Sequence, residues 1–176
     1  MRGFFYGNWF VGLCAVALSI EAIVQQGLPM NGWSYYLLVF LACVLFYNHA
    51  YRDNKALHMV DDRAQWYAIH GLAQRWVQAF LLVLCCVVGT YHVHAIAQVI
   101  PSLRISIIGW LFVFPLVGVA YYGSGRYALR NIGWLKPFVL GFVWAGVVTT
   151  YPVYNFGLLQ GTPLPDPSLT ARLFAK

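Results

Sequence analysis

The sequence predicts an all-α fold, a polytopic transmembrane helix bundle of about five spans, and three observations predict it. Of its 176 residues, 61% are hydrophobic and 9% charged, whereas a soluble domain needs roughly 25% charged residues to cover its surface. Mean hydropathy is +0.66. The apolar residues gather into runs of about 16 to 20, near the lower limit that a hydrocarbon core of about 30 Å sets for a helix. A chain of this length makes one compact bundle over residues 1–156, followed by an irregular tail over 157–176.

The first run covers residues 9–24 and follows Met1-Arg2-Gly3-Phe4-Phe5-Tyr6. Ala17-Leu18-Ser19 resembles a signal-peptidase site, but the stretch before the run holds a single Arg and several aromatics, so the expectation is a retained helix. Glu21, near its far end, reads as a carboxylate reaching the headgroup layer. Gly27, Pro29 and Gly32 mark a short turn. The second run, 33–51, ends in the most polar part of the chain. The third covers 76–95; Trp66, Ile69, Ala73, Trp76 and Phe80 before and within it recur at helical spacing, so 63–75 predicts an amphipathic lead-in along the membrane surface. Pro101 breaks the chain ahead of the fourth run, 105–122, which contains Pro115. The fifth, 137–154, opens on Pro137, a residue suited to a first helical turn. Pro163, Pro165 and Pro167 punctuate the tail.

Charge sets the orientation. With odd-numbered runs crossing outward, Arg2, Arg52, Lys55, Arg63, Arg75, Arg126, Arg130 and Lys136 share one side, and Arg104, Arg172 and Lys176 the other. Eight against three places the N-terminus and the polar second loop in the cytoplasm and the C-terminus outside, in the cell inner (cytoplasmic) membrane. The net charge of +6 is spread between apolar runs rather than massed in one block, which excludes nucleic acid as the partner and points to the lipid bilayer. Cys14, Cys43, Cys85 and Cys86 sit within apolar runs without a CxxC, so they read as small buried hydrophobes.

The stretch from Tyr47 to Arg75 holds three of the five acidic residues and four of the eleven basic ones. Asn48, Asp53, Asp61 and Asp62 offer oxygens of the kind that hold Mg²⁺ together with substrate phosphates. Arg52, Arg126, Arg130 and Lys136 offer cations for a diphosphate. Each has a structural alternative: Asp61 or Asp62 caps the next helix, and the basic residues anchor helix ends. Haem is not expected. His49 closes the second run and His92 and His94 close the third, which puts them roughly 25 Å apart at about 1.5 Å per residue, too far to share one iron.

Leu45-Phe46-Tyr47-Asn48-His49, Tyr121-Tyr122, Leu129-Arg130-Asn131-Ile132-Gly133-Trp134-Leu135-Lys136 and Phe142-Val143-Trp144-Ala145 resemble segments of the UbiA superfamily of intramembrane prenyltransferases. The resemblance implies the N-terminal half of a larger all-helical bundle with a cavity for a prenyl chain. It also implies Mg²⁺-dependent transfer of a polyprenyl group from its diphosphate to a lipid or aromatic acceptor. The family's first motif reads Asn-Asp-x-x-Asp-x-x-x-Asp; here His49, Arg52 and Ala56 follow Asn48 at the three Asp positions, with Asp53 one residue late. The second Asp-rich motif belongs beyond the fifth run. Three readings follow: a divergent or truncated relative that still holds a polyprenyl or quinone-like lipid, a site completed by two chains, and a non-enzymatic membrane subunit packed in a larger complex. Half a bundle also predicts either self-association or instability.

Overall fold

The computed structural model describes residues 2–52, 62–99, 113, 116–118, 120–121 and 133–159. These residues are helical or in turns, with no strand among them. A short helix α1 (Arg2–Tyr6) precedes α2 (Trp9–Gln25), α3 (Trp33–Arg52) and the long α4 (Asp62–Val99). A 3-10 turn (Gly133–Leu135) then leads into α5 (Lys136–Ala145), a π-turn (Gly146–Thr150) and α6 (Tyr151–Leu159). Of the fourth apolar run, Val113, Leu116, Val117, Gly118, Ala120 and Tyr121 are helical; its other residues, the fourth loop and the tail from 160 lie outside the described residues.

Two helical stretches are long and apolar enough to cross a membrane, Gln65–Gln98 with 34 residues and Pro137–Leu158 with 22, while Trp9–Gln25 and Trp33–His49 are apolar but shorter. Of the expected five-span bundle, the described residues show the all-helical character and two stretches of full spanning length. Only 22% and 17% of the apolar windows of the long pair are buried, unlike a helix at the core of a soluble protein.

The chain forms two compact units, Met1–Ala17 with Gly32–His92 and Leu18–Asn31 with Val93–Lys176. The core of the first is Leu41 and Val44 of α3 with Leu81 and Val88 of α4, flanked by Trp9, Leu38, Phe40 and Val77. Gly12 lets α2 lie close on α3: a Cβ there would come within 2.7 Å of Val44 Cγ2 and 2.8 Å of the Phe40 ring. The buried face of α2 is small at nearly every turn, with Gly12, Ala15, Ser19 and Ala22 spaced by four and three, as close helix packing in an apolar medium demands.

Helix α4 divides into two faces. Leu81 and Val88, seven residues apart, are buried, as is His92, whereas Ile69, Leu72, Trp76, Phe80, Val83 and Val87 are exposed at spacings of three and four. The lead-in expected over 63–75 is the first third of this one helix. Its path is oblique. From the approach of Gly89 to Leu38 to the bond between Tyr67 and Asn48, α3 advances 10 residues and α4 22, or about 15 Å against about 33 Å. The reach of two side chains covers about half of that difference, so the first turns of α4 slant across the end of α3 rather than continuing alongside it.

In the second unit, α2 ends in the turn expected around Gly27. Gly27 takes φ +65°, and Gly27 N–H and Leu28 N–H donate to Val24 O (3.0 Å) and Ile23 O (3.1 Å). That pattern closes a helix on a left-handed glycine. The π-turn precedes Pro152, whose ring would clash with the carbonyl of Val148 in a regular α-turn. Tyr151 N–H reaches back to Gly146 O, and Thr149 Oγ1 donates to Ala145 O.

Candidate functional site

An apolar interior makes every buried polar group conspicuous, because an unpaired one costs about 1–3 kcal/mol. In the first unit such groups converge on Asn48, near the end of its apolar helix and 1% exposed. Asn8 Nδ2 donates to Asn48 Oδ1 at 2.7 Å, and Tyr67 Oη lies 2.9 Å from the same oxygen and 2.7 Å from Tyr6 O. Asn8 is placed by a left-handed backbone turn between α1 and α2, φ 59°, a conformation Asn tolerates better than most residues. Its own amide donates to Phe5 O and its carbonyl accepts from Gly12 N–H, both at 3.1 Å. Four elements therefore meet at one carboxamide. Asn48 Nδ2 is buried with no hydrogen-bond partner among the described residues.

Aromatic rings roof this network. Trp66 meets Tyr6 edge-on at 5.8 Å and Tyr67 at 5.2 Å, and stacks on His70 at 4.8 Å. His70 Nδ1 lies 2.9 Å from Trp66 O, so Nδ1 carries that ring's proton. Among the described residues, the groups bonded to Asn48 are a carboxamide and a phenol.

The other sequence-derived candidates fall as follows. Asp62 opens α4 and is exposed, where its charge favours the helix dipole. Arg52 closes α3 one turn beyond Asn48, and Lys136 opens α5. Asp53, Asp61, Arg126 and Arg130 lie outside the described residues. The sequence singles out Asn48 by its place in a motif, but not its partners Asn8 and Tyr67. Their signal is a polar residue at the start of α2 and a Tyr on the inward side of α4.

A second polar pair lies toward the opposite end of α3, where Ser34 Oγ and His92 Nδ1 are hydrogen-bonded at 2.9 Å with Tyr35 beside the ring. His92 is buried and His94 exposed, so the two histidines face different sides of α4. In the second unit Asn31 Nδ2 donates to Pro152 O and Asn155 Nδ2 to Asn31 Oδ1, each at 2.9 Å. Pro152 is among the most buried residues.

Asn48 Oδ1 already accepts from Asn8 and faces the Tyr67 hydroxyl, and among the described residues there is no group of three or more His, Cys, Asp or Glu side chains that could hold a metal; Asp53 and Asp61 lie outside those residues. Compared with known protein families, curated proteins and solved structures, the chain matches none.

Proposed function

We propose that this chain is a multi-pass protein of the cytoplasmic membrane that works by helix packing and lipid contact, as a non-enzymatic subunit or lipid-holding bundle. The N-terminus and the charged loop after α3 face the cytoplasm and the C-terminus faces outward. One observation carries the reading: the exposed row Trp76, Phe80, Val83, Val87 on α4, in an apolar helical stretch that runs on to Gln98. Helix from Trp76 to Gln98 measures about 33 Å, close to the thickness of a hydrocarbon core, and water would not tolerate such a row. Trp134, Phe138 and Phe142 form a similar exposed row at the start of the last helical run. The lipid class that the UbiA resemblance suggests is a polyprenyl or quinone-type molecule, and a second membrane subunit or a second copy would cover the remaining apolar faces.

The use of Asn48 supports a non-catalytic reading over UbiA-type transfer. Departure of a diphosphate needs its charge neutralised, and the one positional match to the motif has its oxygen engaged inside the fold. The test has two arms. Membranes washed with alkaline carbonate should retain the chain, and phosphatase fused at the C-terminus should be active outside the cell. Release of the chain by carbonate overturns the membrane reading. In the second arm, purified protein in lipid is given a polyprenyl diphosphate and Mg²⁺. Diphosphate release that is lost in the Asp53→Asn, Asp61→Asn, Asp62→Asn triple variant would establish an enzyme acting on the prenyl diphosphate instead.

A further inference from the structure

We infer that α1 and the slanting first third of α4 form one membrane-surface platform that binds anionic phospholipid headgroups in the cytoplasmic leaflet. This rests on the membrane reading above and adds a ligand class to it.

Two segments that leave the bundle direction are tied together. The left-handed turn at Asn8 ends α1 before α2 begins, and the register mismatch between α3 and α4 makes residues 62–75 run obliquely. Tyr67 Oη at 2.7 Å from Tyr6 O and Trp66 edge-on to Tyr6 join them. Their inward side chains are thus spent on the Asn48 network. The outward ones include large apolar and basic groups: Phe4 is 41% exposed, Phe5 53%, Ile69 79% and Leu72 71%, with Arg2 and Arg75 exposed alongside and Asp62 exposed at the first turn of α4. Phe4, Phe5 and Phe10 pack ring against ring at 5.3 to 6.4 Å, a preformed wedge rather than separate side chains.

Aromatic and aliphatic groups beside arginines suit the boundary between acyl chains and headgroups. Each guanidinium presents paired N–H donors to a phosphate. The charge balance selects the occupant, since eight of the eleven basic residues against three of the five acidic ones (Asp53, Asp61 and Asp62) fall on this side by the sequence count and the cytoplasmic leaflet carries the anionic lipid. A protein partner would need matching carboxylates at the same depth; the lipid supplies phosphates there in any case.

The full chain is reconstituted in nanodiscs of phosphatidylglycerol or phosphatidylcholine and, separately, released from mixed vesicles to count retained lipids by native mass spectrometry. Wild type should favour phosphatidylglycerol by about tenfold. Arg2→Gln with Arg75→Gln should bring that preference close to one, and Arg2→Lys with Arg75→Lys should keep most of it. Phe4→Ser with Phe5→Ser should lower retention of both lipids. Equal retention by wild type, or an unchanged preference in the double Gln variant, overturns the inference, and so does a fall in detergent-particle mass without lipid loss in the double Ser variant, which would make the wedge a contact between copies. Carbonate release of the wild-type chain would sink the membrane reading itself; a chain that stays in the membrane without headgroup preference sinks only this inference.

Discussion

In the first unit a side chain is the hub, with Asn8 and Tyr67 closing on the Asn48 amide; in the second the hub is backbone, with Asn31 closing on the Pro152 carbonyl and Asn155 closing on Asn31. The difference lies in what each holds. Pro152 lacks the N–H that would bond Val148 O, but Asn31 donates to the carbonyl of Pro152 itself, so a carboxamide from 121 residues away ties the segment after α2 to the last helical run rather than replacing the bond the ring removes. Around Asn48 the bonds hold α1, the start of α2 and the oblique part of α4 on the end of α3. A polar group in an apolar bundle thus serves either to anchor a distant backbone carbonyl or to gather several segments on one side chain.

The largest effect should come from the packing on which the first hub depends. Gly12→Val puts branched methyls where even one carbon meets Val44 and Phe40 at under 3 Å, and both lie on the same face of α3 as the core. Overpacking of that kind typically costs about 1–3 kcal/mol and sometimes more. Thermal denaturation in detergent should show a loss at the upper end, with Cys43 and Cys14 becoming reactive to a maleimide at lower temperature. Gly141, in α5 of the second unit, faces open space: a Cβ added there would meet nothing within 4 Å, so Gly141→Val should change the midpoint little. Equal effects at the two glycines would refute the close approach of α2 and α3.

The tie to the Pro152 carbonyl should come next in size. Asn31→Ala removes both the donor to Pro152 O and the acceptor of Asn155 Nδ2, and a loss of about 2 kcal/mol is expected. Adding Asn155→Ala should cost much less than it does alone, since the two act as one chain of bonds. Additive losses would mean that the two amides serve separate purposes. Hydrogen exchange should report the change locally, in the amides of the last helical run.

How much of this is legible in the sequence depends on how far apart the interacting residues lie along it. The apolar runs are local properties of composition, and α2 and α3 occupy residues 9–25 and 33–52 where the sequence predicts runs at 9–24 and 33–51. The turn at Gly27 is legible because glycine alone suits its φ of +65°. Asn48 is legible as a polar residue ending an apolar helix, but its partners lie 40 and 19 residues away, and no local pattern ties them to it. Spacing alone marks 63–75 as an amphipathic segment; its slant follows only from the contacts at both ends of α3. His92 and His94 show the limit of treating neighbours as a pair. Two residues apart on a helix means about 200° of rotation, so when one faces the core the other cannot. The buried positions seven residues apart, Leu81 and Val88, are the pattern that identifies the inward face.

The smallest effect, and the sharpest test of the contrast between the two hubs, is Tyr67→Phe. It deletes one oxygen and keeps the ring, so the edge-on contact with Trp66 at 5.2 Å stays. What goes is a hydroxyl placed between Tyr6 O and Asn48 Oδ1; its single proton serves one of them at a time, so one net hydrogen bond is lost. Inside an apolar bundle such a bond is worth about 0.6 kcal/mol on average and up to about 1.7. A loss near the middle of that range is expected, since Asn48 Oδ1 keeps its bond from Asn8. If the hub gathers segments on the end of α3, the global midpoint should move little while exchange of the amides in α1 and the first turns of α4 speeds up several-fold. Faster exchange confined to α3 itself would overturn that assignment.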